Sequence, residues 1–139
     1  MFDVRRVFQT TIMIAAALAA LAAGGQKKGT PDWTIPPNAS QEQSPVQSSP
    51  AVVARGRKIF EGKCQRCHGK DGAGRGPDAD GEHPAGNLTD PLRAAFNPDG
   101  VMFYKIWNGR ESPKMPAFKS ELTREEIWTV IAFAKTFRR

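Results

Sequence analysis

A chain of 139 residues, of which 40% are hydrophobic and 24% charged, has room for one domain and little more. Its 20 Lys and Arg against 14 Asp and Glu leave a net charge of +6, which suits an acidic protein partner or an anionic membrane surface. The basic residues are scattered and no nucleic-acid-binding motif accompanies them, so nucleic acid is discounted as a partner. Only two cysteines are present, Cys64 and Cys67, too few for a disulfide framework.

Residues 1–25 read as a signal peptide or an N-terminal membrane anchor. Arg5 and Arg6 precede an apolar run from Ile12 to Ala23, and Ala20-Leu21-Ala22 offers a small-x-small cleavage site. If the segment is retained, residues 7–25 form a membrane tether near the minimum spanning length. Residues 26–50 carry Pro31, Pro36, Pro37, Pro45 and Pro50 among Ser and Gln, a composition expected of an extended linker. Trp33-Thr34-Ile35-Pro36-Pro37 stands out within it as an apolar element, which either docks on a surface or lies loosely on it.

The folded unit is expected over 51–139, about 90 residues, a size that often relies on a metal or prosthetic group for stability. Val52, Val53, Gly56, Ile59 and Phe60 recur at helical spacing and lead into Cys64. The glycines and prolines between Gly69 and Gly86 predict a flexible loop. Asp99 is placed to cap a short helix over 100–108, stopped by Gly109. A second loop follows, carrying Pro113, Met115 and Pro116. Thr123 with Glu126 predicts a capping box for a last helix whose apolar face is Ile127, Val130, Ile131, Ala134 and Phe137. No strand pattern and no internal repeat stand out.

Cys64-Gln65-Arg66-Cys67-His68 carries the chemistry. Two thiols at this spacing reach two vinyl groups on one haem edge, and the adjacent histidine brings its imidazole to the iron, the pattern of c-type haem attachment. Two alternatives use the same residues. A redox Cys-x-x-Cys wants a βαβ setting, and the sequence offers none. A zinc site would have to draw on Cys64, Cys67, His68 and His83, at spacings that fit no common zinc pattern. His83 is also a rival iron ligand, although beside Asp80 and Glu82 it reads more simply as a solvated imidazole.

The motif, together with Gly56-Arg57-Lys58-Ile59-Phe60 before it, Lys114-Met115-Pro116-Ala117-Phe118 after it and the closing helix with Phe133, resembles the class I c-type cytochromes from about Ala51 onward. That resemblance implies an all-α fold, the small cytochrome c fold wrapped around one covalently attached haem, in which the first and last helices cross closely. Gly56, Phe60 and Phe133 match the crossing positions, Phe133 departing from the more usual Tyr or Trp. It further implies one haem c per chain, attached through Cys64 and Cys67, with His68 and Met115 as axial iron ligands. Pro77 is expected to offer its carbonyl to the His68 ring, and Leu88, in Asn87-Leu88-Thr89, to pack on the macrocycle. Lys63, Arg66, Lys70, Lys114 and Lys119 flank these segments and would steer an acidic partner.

The function so implied is one-electron transfer by a His/Met-ligated monohaem cytochrome in a respiratory or dehydrogenase electron-transfer chain, not catalysis. Its partners would be redox proteins, including a membrane-bound respiratory or dehydrogenase complex. Its place would be outside the cytoplasm: periplasmic, soluble or tethered to the outer face of the cytoplasmic membrane.

Overall fold

The computed structural model describes residues 33–112 and 114–138. Residues 1–32, and with them the export and anchor assignments, lie outside the described residues. The compact unit is formed of helices α1 (Pro50–Lys63), α2 (Gln65–His68), α3 (Pro91–Ala95), α4 (Asp99–Asn108) and α5 (Arg124–Ala134), with 3₁₀ turns at Ala39–Gln41 and Lys135–Phe137. Among the described residues there is no strand, only an isolated antiparallel bridge between Arg110 and Met115. The all-α expectation therefore holds.

The last helix is the centre of the unit. Thr123 and Glu126 form the expected capping box: the Glu126 amide donates to the Thr123 hydroxyl at 3.2 Å, and Glu126 accepts from the Thr123 amide at 2.8 Å. Those contacts hold the Glu126 carboxyl below the usual carboxylate range. Thr123→Ala should therefore cost about 1 kcal/mol and lower the melting temperature by roughly 4–8 °C. Thermal unfolding checks this, with Thr123→Ser retaining most of the stability.

From Ile127 to Ile131 every residue of α5 is buried, as are Phe133 and Ala134. The apolar surface is thus wider than one stripe, and Trp128 and Thr129 belong to it, because α5 is packed on more than one side. The helix ends at Ala134, so Phe137 reaches the core from the 3₁₀ turn instead.

On one side α5 meets α1. Ser49 caps α1 by accepting from the Val52 amide at 3.2 Å, with Pro50 in the first turn. The two helices cross at Gly56, where a Cβ would lie 2.3 Å from the Thr129 carbonyl oxygen and 2.8 Å from the Phe133 Cβ. Only glycine permits that approach. Arg55 ties the same crossing at the surface, donating to Glu125 at 2.9 Å and to the Thr129 hydroxyl at 3.1 Å.

On the other side lies α4. Phe103 stacks on Trp128 at 4.5 Å between centroids, within a cluster that includes Phe118, Leu122, Ile127 and Ile131. Asp99 falls inside the first turn of α4 and pairs with Lys135 at 2.7 Å; the cap position is Pro98, and Gly109 closes the helix as expected.

The segment before α1 departs from the expectation of an extended linker over 26–50. Ala39 is buried, Val46 packs against the core, and the 39–41 turn sits on α4. Among the described residues compactness therefore begins well before Ala51. A few apolar residues placed among prolines suffice, because α4 and α5 supply the surface they cover.

Candidate haem-attachment site

Helix α1 delivers the motif. Its last amide bond runs from Cys64 to the Phe60 carbonyl at 2.8 Å, and Cys64 then caps α2. The His68 amide bonds to the Cys64 carbonyl at 2.9 Å and the Cys67 amide to the same oxygen at 3.2 Å. Cys64, Cys67 and His68 therefore share one face of one helical turn, as positions i, i+3 and i+4 do. Both cysteines are unbridged and half-buried.

The glycine-rich loop is folded back onto this turn. Gly74 donates to the His68 carbonyl at 2.8 Å, Gly76 to Cys67 at 3.0 Å and Asp78 to Arg66 at 2.8 Å. A Cβ on Gly76 would lie 2.2 Å from the Arg66 carbonyl oxygen, so the glycine run serves close backbone stacking. The loop expected to be flexible is laced to the motif it follows, and Arg66–Asp78, at 2.7 Å, fastens it from outside.

The ring of His68 lies 3.0 Å through Nδ1 from the Gly86 carbonyl oxygen. A carbonyl only accepts, so Nδ1 carries the proton and Nε2 keeps its lone pair for a metal. Burial lowers the imidazole pKa, with the Gly86 bond opposing it, and the ring is neutral at pH 7. The expectation for Pro77 is not met: it is exposed, and the orienting carbonyl belongs to Gly86, immediately before Asn87-Leu88. The loop's return past Gly72, where the Leu88 amide donates to the Gly72 carbonyl at 2.8 Å, brings Gly86 rather than Pro77 to the ring.

Around the motif the walls are apolar. Phe60 lies 6.4 Å from the His68 ring and 5.3 Å from both Phe133 and Phe137. Cys64, Leu88 and Ile106 are only partly buried where they pack against this cluster. A flat apolar group would cover such surfaces, and a donor set of two thiols plus one neutral imidazole fits haem c.

The alternatives fit less well. Among the described residues no group of three or more His, Cys, Asp or Glu is arranged to hold a metal ion, which removes the zinc reading. Burial, with Cys67 nearby, pushes the Cys64 thiol up to about 12, the opposite of an activated redox thiolate. His83 is exposed and lies 3.5 Å from Asp80, as a solvated imidazole would.

Met115 is half-buried in the loop after α4 and exchanges backbone hydrogen bonds with Arg110, both at 2.8 Å. Of the flanking cations, Lys63 pairs with Glu121 and Arg66 with Asp78, each at 2.7 Å, while Lys70, Lys114 and Lys119 are exposed. Two features lie outside the sequence expectations. Helix α3 carries a legible start in Asp90-Pro91, the Asp90 carboxylate accepting from Leu92 and Arg93. The Gly86 carbonyl carries no side-chain signal at all.

Residues 51–133 match the family model described as "Cytochrome C oxidase, cbb3-type, subunit III". A cytochrome c6 of Chlorolobion braunii is 32% identical over 83 residues, covering 60% of this chain and 88% of that protein. Among solved structures, the KustC0563 c-type cytochrome aligns with a TM-score of 0.54 at 27% identity, over 60% of this chain and 98% of that one. A chain of the Kuenenia stuttgartiensis reducing HAO-like protein complex Kustc0457/Kustc0458 aligns with a TM-score of 0.59 at 25% identity, over 68% of this chain and 47% of that one.

Proposed function

This chain belongs to the monohaem class I c-type cytochromes, whose cofactor is covalently bound haem c, and from that we propose that it is a one-electron carrier whose iron is ligated by His68 and Met115. The observation that supports the reading most is the His68 ring, oriented by Gly86 with Nε2 left as a lone pair, on the same helical face as two unbridged thiols. Haem supplies reversible exchange between ferric and ferrous iron.

The chain's own residues do the rest. Cys64 and Cys67 hold the group as thioethers, consuming the only two thiols. His68 donates Nε2, and its Nδ1–H bond to Gly86 raises the ring's donor strength. Phe60 and Leu88 exclude water from the pocket wall. Met115 would supply a thioether as the second protein ligand, which would raise the reduction potential relative to two nitrogen ligands and would leave no open position for a substrate. Electron transfer without bond chemistry is the consequence.

Redox proteins are the partners, as the similarity to a chain of a multi-protein complex also suggests. Exposed Lys70, Lys114 and Lys119 would favour an acidic face and make the association rate fall with salt. Export to the periplasm, as a soluble or membrane-tethered carrier of a respiratory or dehydrogenase chain, agrees with the chemistry of haem attachment. No helix among the described residues is long and apolar enough to cross a membrane.

Visible spectra of the chain exported in a host with haem-attachment machinery test the reading. Sharp reduced α and β bands that stay with the denatured chain are expected, with a weak sulfur–iron band in the oxidised form. Met115→Ala should abolish that band, lower the midpoint potential and open the reduced iron to carbon monoxide. A spectrum unchanged by Met115→Ala, or ready carbon monoxide binding by the native chain, would remove the six-coordinate carrier assignment.

A further inference from the structure

The segment before α1 contains an aromatic that the core does not use. Trp33 lies at the C-terminal end of α4, its ring 5.2 Å from the Lys105 ammonium and 4.7 Å from the Arg110 guanidinium carbon. Further along, the same segment is fastened at the opposite end of α4. There the Ala39 carbonyl oxygen would lie 2.0 Å from a Cβ on Gly100. Glu42 pairs with Arg124, whose guanidinium carbon sits 4.4 Å over Phe103. The segment thus runs antiparallel to α4 as a strap, anchored at both ends.

What the Trp33 end holds is not an ordinary surface cation. Arg110 exchanges both of its backbone hydrogen bonds with Met115, at 2.8 Å each. Beyond Met115, the Phe118 amide donates to the Ile106 carbonyl at 3.0 Å, and Phe118 is buried. Met115 is therefore fixed on its far side by the core, and on its near side by Arg110. Trp33 in turn holds the Arg110 side chain, on a stretch where most residues are only half-buried or exposed.

We propose that Trp33 is a positioning residue for Met115, holding through Arg110 the loop that presents the sixth iron ligand. This rests on the assignment of Met115 as that ligand. Releasing the strap raises the fraction of molecules whose Met115 loop is open, without touching the ligand itself. An outside ligand that needs the open form binds in proportion to that fraction.

The test uses the haem-loaded full chain in the ferric state, titrated with imidazole and followed by loss of the sulfur–iron band. The cation–ring contact to Arg110 predicts that Trp33→Ala tightens imidazole binding up to about fivefold. Trp33→Phe should recover part of the difference, Arg110→Ala should act like Trp33→Ala, and the two together should do little more than either alone. Gly56→Ala supplies the structural comparison, since it lowers stability at the α1–α5 crossing, where the added methyl meets Thr129 and Phe133 rather than the strap or the Met115 loop, and it should leave imidazole affinity within about twofold. Unchanged affinity in Trp33→Ala, with the native band present and abolished by Met115→Ala, would overturn the strap alone. An equal tightening in Gly56→Ala would also overturn it, as an effect of global loosening. Absence of a sulfur–iron band in the native chain would bring down the ligand assignment and the strap with it.

Discussion

Replacing both Cys64 and Cys67 by Ser should yield a chain that retains no haem and no longer folds stably. These are the only cysteines, so no substitute attachment exists. The structural consequence follows from the architecture. The apolar residues on the haem side form a small cluster of Phe60, Val130 and Phe133, while Cys64, Leu88 and Ile106 are left only partly covered by protein. A domain of this size carries on the order of 5 kcal/mol of net stability. Losing a group that covers those side chains removes a comparable amount, because each large apolar side chain fully covered contributes roughly 1.5–3 kcal/mol. Far-ultraviolet circular dichroism should show most of the helical signal lost in the haem-free variant. A haem-free chain with native helicity and cooperative melting would show that the protein core alone suffices.

Two glycines of the same helix should respond with opposite signs. At Gly56 an added methyl meets the Thr129 carbonyl oxygen at 2.3 Å, so α1 and α5 would have to separate. Overpacking of this kind costs about 3 kcal/mol, and the helix-propensity gain of Ala over Gly returns only about 1 kcal/mol. Gly56→Ala is expected to destabilise by about 2 kcal/mol net, and Gly56→Val by more. At Gly62 a Cβ meets nothing within 4 Å, so Gly62→Ala should stabilise by up to about 1 kcal/mol. Denaturant unfolding of the haem-loaded proteins measures both. A neutral Gly56→Ala would mean that the helices are free to shift apart at their crossing.

What was legible from the residues alone was whatever is local or periodic. The capping box at Thr123 and Glu126, the helix running into Cys64 and the stop at Gly109 each depend on neighbours within a few positions, and each formed as expected. The attachment motif is local too, since one helical turn suffices to bring Cys64, Cys67 and His68 onto one face. The close helix crossing at Gly56 and Phe133 came through the family resemblance, and the geometry agrees with it.

Features that depend on contacts distant in sequence escaped. The family resemblance points to the Pro77 carbonyl as the partner of His68, yet any residue offers a carbonyl, and only the loop's path past Gly72 selects Gly86. The proline-rich stretch before Pro50 read as a linker, because its composition cannot build a core alone. It lies on the domain because α4 and α5 present surface for Ala39 and Val46 to cover and cations for Trp33 to meet. Trp128 and Thr129 joined the core because α5 is contacted from more than one side, a fact no single-helix periodicity contains. By itself, then, the sequence determined the three longer helices, the capping box of α5 and the turn that gathers Cys64, Cys67 and His68, since these rest on bonds and spacings within a few residues. Only the tertiary structure decided which carbonyl, which loop and which preceding segment close around that turn, since those choices follow from the chain's path in space.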